Sequence, residues 1–325
     1  MMILNDIPNF EVNAKIITQI GQIEKLRDSC EGIVNKRMEQ RLRRSSVLRS
    51  INPSLAIEGN GMGILETRDI INGRTTGGPF DEILETRNAV KAYDEVDDAD
   101  IWSLDDLLRL HDTMMFGLVE QSGFRTHGVY IAEGEKVIYV APEAEKVEPM
   151  VRKLLDWCRD SDYPAPITAA IAHYYIEAIH PFPDGNGRIG RLWHSAVLHR
   201  YDPIFDLVPM ESKIRERQGE YYAVLERCQH REVQDCTEFI EFCLDANIAS
   251  LTDLMHLKDP NISKLMDAMG TDPMSSYEIM KRMGLSHKPH FMKAYLHPAM
   301  EYGLVSMTVP DHPNSRLQRY RRVFI

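Results

Sequence analysis

Apolar residues recur at helical spacing along most of this 325-residue chain, and only one stretch breaks the pattern. Residues 12–50 repeat apolar positions at helical spacing, among them Val12, Ile16, Ile17, Ile20, Ile23 and Leu26, with Lys and Arg between them. Helical patterning predicts further helices at about 81–95, 103–116, 144–160, 165–178, 187–200, 212–229 and 235–257. Gly-rich breaks stand at Gly59, Gly61 and Gly63 and again from Asn72 to Pro79, where turn chemistry predicts a loop. The exception is Gly128-Val129-Tyr130-Ile131, then Glu133-Gly134-Glu135, then Val137-Ile138-Tyr139-Val140: two short β-rich runs around a glycine turn. A hairpin is marginal in water by itself, so this one must lie against the helical body. It is either a surface decoration or a flap over a site. The expected class is mainly α, a helical bundle with one β-hairpin.

Lys258-Asp259-Pro260-Asn261 marks a domain boundary. Beyond it the pattern predicts helices at 262–269, 276–283 and 288–302, then strands at 304–309 and 320–325. Three small helices and a two-stranded ribbon outline a winged helix. The chain has a net charge of −11, which makes it a poor nucleic-acid binder over its whole surface. Residues 260–325 differ, with nine Lys or Arg against five Asp or Glu. Arg316, Arg319, Arg321 and Arg322 permit phosphate contacts, so DNA binding through 260–325 is an alternative role for this part. Five cysteines, an odd number without a CxxC pair, argue against a disulfide framework and a thiolate zinc site. No stretch approaches the ~18 consecutive apolar residues of a membrane span, and the N-terminus has no basic leader. A reducing, cytoplasmic protein without a membrane partner is expected.

The most informative run is His180-Pro181-Phe182-Pro183-Asp184-Gly185-Asn186-Gly187-Arg188-Ile189-Gly190-Arg191. His180 is a candidate general base, since a neutral imidazole accepts a proton near pH 7. Pro181 and Pro183 keep the backbone extended. Asp184 offers a hard carboxylate suited to Mg²⁺. Gly185-Asn186-Gly187 can turn successive N–H groups towards one point at a helix N-terminus, forming an anion nest. Arg188 and Arg191 share a helix face and can grip phosphate oxygens. A capped helix after a polar loop would account for any one of these residues. All of them in this order fit phosphoryl or nucleotidyl transfer.

The run resembles the Fic family motif, HPFx[DE]GNGRxxR, at every specified position from His180 to Arg191. The resemblance extends to Ala172-His173 through Glu177, to Gly123-Phe124-Arg125 and to Tyr221-Tyr222. It implies an all-α fold with one hairpin, organised as a helical region over 1–100, a catalytic core over 101–257 with its flap at 128–140, and the winged-helix-like part at 260–325. It also implies transfer of AMP from ATP, with Mg²⁺ or Mn²⁺, to a Tyr, Thr or Ser hydroxyl of a target protein. His180 would take the hydroxyl proton and Asp184 would hold the metal. The backbone at Gly185 and Gly187, with the Asn186 side chain, would stabilise the α-phosphate. Arg188 and Arg191 would hold the outer phosphates, beside Ile189 and Gly190. Lys136, Val137, Ile138 and Tyr139 of the flap, with Tyr221, Tyr222 and Gln229, match positions lining the nucleotide pocket in relatives. The flap would pair with an extended target segment by strand addition. Gly187, where phosphate-transferring relatives carry Lys, favours AMP transfer over other Fic-type reactions. Transfer of phosphate, phosphocholine or UMP, and removal of AMP, are the alternatives.

Ser54-Leu55-Ala56-Ile57-Glu58-Gly59 fits the family's inhibitory pattern, [ST]xxxE[GN]. The resemblance implies that Glu58 pairs with Arg191 and displaces the γ-phosphate. Some relatives use this glutamate to remove AMP as well. His173 and His194 are read as packing or supporting residues, and His287, His290 and His297 as turn and surface residues. Self-modification and self-association are both left open.

Overall fold

The computed structural model describes residues 8–30, 36–133, 136–229, 235–256, 259–270, 272–301, 304–313 and 315–322. The side chains of 36–45, 131–133 and 136–138 lie outside that description. The hairpin turn at Gly134 and Glu135, the boundary residue Lys258 and the end of the last strand at 323–325 therefore lie outside the described residues.

The predicted helices form. The N-terminal region holds α1 (Ala14–Cys30), α2 (Lys36–Ile57), α3 (Ile64–Ile71) and α4 (Phe80–Glu95). The core holds α5 (Leu104–Met114), β1 (Tyr130–Glu133), β2 (Lys136–Val140), α6 (Ala144–Arg159), α7 (Ala165–Ile179), α8 (Asn186–Tyr201), α9 (Met210–Glu216), α10 (Gln218–Gln229) and α11 (Thr237–Met255). Helices α7 and α8 pack on each other at the centre, with α6 and α11 against α7 and α5 and α2 against α8. Helix α7 is buried along almost its whole length, so it must be apolar all round. Gly190 permits the close approach of α8, because a Cβ there would come within 3.0 Å of His173 Cδ2.

Three local features differ from the sequence reading. Helix α2 continues past residue 50, through Pro53 to Ile57. Proline cannot donate to the carbonyl four residues earlier; here the Ser212 hydroxyl donates to that Arg49 carbonyl at 2.9 Å instead. Helix α3 forms between the two Gly-rich breaks. Its Thr67 hydroxyl bonds the Gly63 carbonyl at 3.0 Å, and the Asn52 amide of α2 bonds the Thr67 hydroxyl at 3.0 Å. The predicted helix at 212–229 is divided at Arg217, where φ is −116° and ψ is 31°.

Strands β1 and β2 pair antiparallel, Tyr130 with Val140 and Ile131 with Tyr139, with an irregularity after Ile131. The hairpin is anchored as its marginal stability requires. Tyr139 is buried and its hydroxyl donates to the Ala178 carbonyl of α7 at 2.7 Å. The C-terminal part holds α12 (Pro260–Ala268), α13 (Ser276–Met283), α14 (Lys288–Phe291), a π-helical turn, α15 (His297–Glu301), β3 (Val305–Met307) and β4 (Tyr320–Arg322). Strands β3 and β4 pair antiparallel, and Met274 adds a bridge to Tyr320 through bonds of 2.9 and 2.7 Å. This is the winged-helix outline. Of its arginines, Arg319 is tied to the Pro273 carbonyl (2.9 Å) and Glu278 (3.2 Å), and Arg321 to the Ser306 hydroxyl (3.1 Å).

Arg125 fastens the flap to the end of α7. Its guanidinium is buried and donates to four carbonyls: His180 at 2.7 Å, His127 at 2.8 Å, Pro142 at 2.5 Å and Ile179 at 3.3 Å. Arg125→Met keeps the volume and leaves these acceptors unpaired. At roughly 1–3 kcal/mol for an unsatisfied buried group, the loss should be about 3 kcal/mol or more by urea denaturation. A loss under about 1 kcal/mol would mean that water reaches the carbonyls.

Candidate active site

Residues 180–191 connect the two central helices. His180 caps α7 in the left-handed region, φ 49° and ψ 59°, which turns the chain out of the helix and the imidazole away from its axis. It is the one described non-glycine residue with positive φ, and such conformations cluster at functional sites. Burial pushes the imidazole pKa down, so the ring is neutral at pH 7.

The loop after His180 is held from three sides. Phe182 is fully buried and its ring stacks on His111 of α5, with centroids 3.6 Å apart. Asn186 closes the loop: its Oδ1 accepts from Phe182 N at 2.9 Å and its Nδ2 donates to Phe182 O at 3.0 Å. The Asn186 amide thus works as a brace in this structure, pointing at the loop's own backbone. His111 Nε2 lies 2.8 Å from the Asp184 carbonyl. Gly185 has φ 82°, and a Cβ there would meet Met115 Sδ at 2.6 Å, so a side chain is excluded twice. Asp184 is exposed, and its Oδ1 accepts from Gly185 N at 2.6 Å and from Arg188 at 2.9 Å. Both contacts fall on Oδ1, and the side chain stays 61% exposed. That arrangement fits a cation such as Mg²⁺, which binds few protein carboxylates and keeps waters or phosphate oxygens.

Helix α8 begins at Asn186 without a side-chain cap, so its first-turn N–H groups and positive end face the site. Arg188, nearly buried, forms ion pairs with Glu85 of α4 and with Asp184. Ile189 and Gly190 lie inside the α7–α8 contact. Arg191 is fully buried and is met by the end of α2: Nη2 donates to Glu58 Oε1 at 2.6 Å and to Ser54 O at 3.0 Å, and Nε donates to Ser54 Oγ at 3.0 Å. Burial alone would lower the guanidinium pKa; Glu58, Tyr221 and Glu177 outweigh it and hold the charge firmly. Gly59 follows with φ 96°, ending the turn after α2.

A second carboxylate joins this pair. Glu177, one turn before His180, is the only acid or base of α7 apart from His173. A Cβ on Gly187 would come within 2.5 Å of Glu58 Oε1, 3.0 Å of Arg191 Nη1 and 3.0 Å of Glu177 Oε1. The glycine therefore stands where the two carboxylates and the guanidinium converge. Tyr221 lies behind them, fully buried, donating to Glu177 Oε1 at 2.9 Å and facing His173 Nε2 at 3.1 Å. Of the two tyrosines, Tyr222 has the exposed ring; its hydroxyl bonds the Ile57 carbonyl at 3.2 Å. Gln229 is half-buried at the end of α10. Tyr139 reaches α7 from the flap, whereas the side chains of Lys136, Val137 and Ile138 fall outside the described residues.

Sequence reading missed Arg125, Glu85 and His111 as supports of the loop and Glu177 as part of the charge cluster. A lone acid in an otherwise apolar helix is the signal that could have found Glu177. The partners Glu85 and His111 have no such mark.

Burial, then the Glu58 charge, raises the Glu177 pKa to about 7. An unfolded glutamate titrates near about 4.3. Between those values the folded state binds more protons, so this group's contribution to stability falls as pH rises. Glu177→Gln cannot ionise and still accepts from Tyr221. Its stability relative to wild type should therefore rise between pH 5 and pH 8, by at most about 3 kcal/mol. Urea denaturation at both pH values measures this, and an unchanged difference would place Glu177 at an ordinary carboxylate pKa.

Comparison with known proteins agrees with this geometry. Residues 101–198 match the Fic/DOC family, and residues 260–322 match the C-terminal domain of Fic-like proteins (filamentation induced by cAMP). Protein adenylyltransferase Fic of Nematostella vectensis is 29% identical over 239 residues, covering 64% of this chain and 53% of that protein. Protein adenylyltransferase fic-1 of Caenorhabditis elegans is 26% identical over 264 residues, 75% of this chain and 48% of that protein. The chain thus spans about half the length of the curated relatives it matches. The crystal structure of a Fic family protein from Desulfovibrio desulfuricans is 34% identical and superposes with a TM-score of 0.71 over 97% of this chain and 98% of its own. With a likeness of that extent around an intact motif, the chain belongs to the Fic family.

Proposed function

We propose that this chain is an autoinhibited protein adenylyltransferase, moving AMP from ATP to a Ser, Thr or Tyr hydroxyl of a protein. The observation that carries this reading is the convergence at Gly187: an uncapped helix N-terminus, the Arg191 guanidinium, and the Glu58 carboxylate occupying it. The relatives named protein adenylyltransferases support the reaction class. Residues 1–100 form the inhibitory region, 101–257 the catalytic core and 260–325 an accessory domain. The family matches at 101–198 and 260–322 support that division. The five cysteines are buried and form no disulfide, which suits a reducing cytoplasm. No helix among the described residues is long and apolar enough to cross a membrane.

In the transfer, neutral His180 accepts the proton of the target hydroxyl. The oxygen attacks the α-phosphorus, and the bond to the bridging oxygen of pyrophosphate breaks. N–H groups at the start of α8 are placed to stabilise charge growing on the α-phosphate oxygens. Arg188 and Arg191 bind the outer phosphates, which replace Glu85 or Asp184 on one and Glu58 on the other. Asp184 would hold the Mg²⁺, which when bound neutralises phosphate charge. Tyr222 and the flap would border the nucleotide. With Glu58 on Arg191 the γ-phosphate loses its partner, and the α-phosphate is misaligned for in-line attack.

Label should follow the α-phosphate of ATP into protein, with a requirement for Mg²⁺ or Mn²⁺. Transfer of γ-label would point to a kinase-like reaction instead. His180→Ala should lower transfer by about 10²–10⁴-fold with ATP binding largely kept. Glu58→Gly should raise adenylylation, including self-modification, by an amount on the order of 10²-fold, the scale of a misplaced reacting group. Adding Arg191→Ala to Glu58→Gly should lose the gain. Equal activity of wild type and Glu58→Gly would sink the inhibitory role.

A further inference from the structure

We propose that His173, His194 and Cys243 form a buried binding site for a soft monovalent metal ion, Cu(I), behind the catalytic loop. They come from three helices, α7, α8 and α11, and all three are fully buried. One ring nitrogen of each histidine and the Cys243 sulfur lie within 4.8 Å of one another. A trigonal ion with metal–nitrogen distances of ~2.0 Å and metal–sulfur of ~2.3 Å needs ligand atoms about 3.5–4 Å apart, so small side-chain movements close the site.

The hydrogen bonds around the cluster leave ring nitrogens available to an ion. Tyr221 gives its hydroxyl proton to Glu177, so its oxygen accepts from His173 Nε2, which carries that ring's proton. His173 Nδ1 is then a bare acceptor, buried and without a hydrogen-bond partner. One His194 nitrogen faces the Ala169 carbonyl short of good geometry, and neither ring nitrogen makes a hydrogen bond. A proton on the carbonyl-facing nitrogen leaves the other as an acceptor. Two acceptors and one thiol in a fully buried cluster then have a single proton among them. An outer hydrogen bond such as that from His173 to the tyrosine oxygen is what orients a metal-binding imidazole.

Two imidazoles and a thiolate in a trigonal set suit copper. Charge selects the monovalent ion. Binding breaks the Cys243 S–H bond, forms the metal–sulfur bond and releases the proton to solvent. Cu(I) with one thiolate leaves no net charge, whereas Zn²⁺ would leave one positive charge near the buried Arg191, which already acts on His173. The ion would pin α7, α8 and α11 together from behind.

The test loads the full chain with Cu(I) as its acetonitrile complex under anaerobic conditions, then challenges it with bicinchoninate. Wild type and Cys158→Ala should each retain one equivalent. Cys243→Ala and His194→Leu, checked for folding by circular dichroism, should lose it at least tenfold more readily. X-ray absorption of loaded wild type should read two nitrogens and one sulfur, a readout independent of any variant's folding. No retained copper, equal retention by both ligand variants, or an all-sulfur shell from the other thiols would overturn the site. Retention of Zn²⁺ in place of copper would overturn the choice of ion.

Discussion

A fully buried guanidinium at Arg191 sets the terms for everything around it. An unpaired charge is too costly to leave in the interior of a helical bundle. The answer comes from outside α8: the Ser54 hydroxyl and carbonyl and the Glu58 carboxylate, all at the end of α2. That requirement explains why α2 runs through Pro53, with Ser212 standing in for the missing donor. It also explains why Gly187 carries no side chain, since a Cβ would collide with the Glu58 carboxylate. The contact proposed to inhibit is therefore part of the packing of the protein.

In the proposed reaction Arg191 must exchange Glu58 for a phosphate. Glu177 and Glu58 both lie beside the guanidinium, and burial with mutual repulsion keeps Glu177 close to half-protonated at neutral pH. A γ-phosphate bound there would bring more negative charge than Glu58 removes. A Glu177 that can take up a proton would lessen that repulsion. The Tyr221 hydroxyl donates to the same carboxylate and favours its ionised form, so the two effects hold Glu177 near its balance point.

The helical course, the hairpin and the family motif at 180–191 were legible in the sequence because each depends on local pattern. The motif is readable because base, carboxylate, glycines and arginines must stand in one short loop and helix start. The Ser54–Gly59 segment was readable only beside that motif. What escaped was contributed from a distance. Arg125 joins carbonyls spread from His127 to His180, Glu85 meets Arg188 across 103 positions, and His111 stacks on Phe182. Nothing in a local window marks such partners. Asn186 shows a different limit. Its residue type suited a phosphate ligand, yet its amide is used on the Phe182 backbone, a choice fixed by the loop's path.

The strength of the α2 clasp follows from how its end is held. Beyond Arg191, the Ile57 carbonyl accepts from Gln218 Nε2 at 3.0 Å and from the Tyr222 hydroxyl at 3.2 Å. Each neutral bond contributes about 0.5–1.5 kcal/mol net, and bonds to a charged group about 1.5–3 kcal/mol. Opening the whole set would cost about 5–12 kcal/mol and strand the buried guanidinium, so the clasp can open only as another anion takes the place of Glu58 on Arg191. Tyr222 ties the two processes together, because it both steadies the end of α2 and exposes its ring beside the proposed nucleotide site. A ligand that engages that ring would act on the clasp through the Ile57 carbonyl, without touching Glu58.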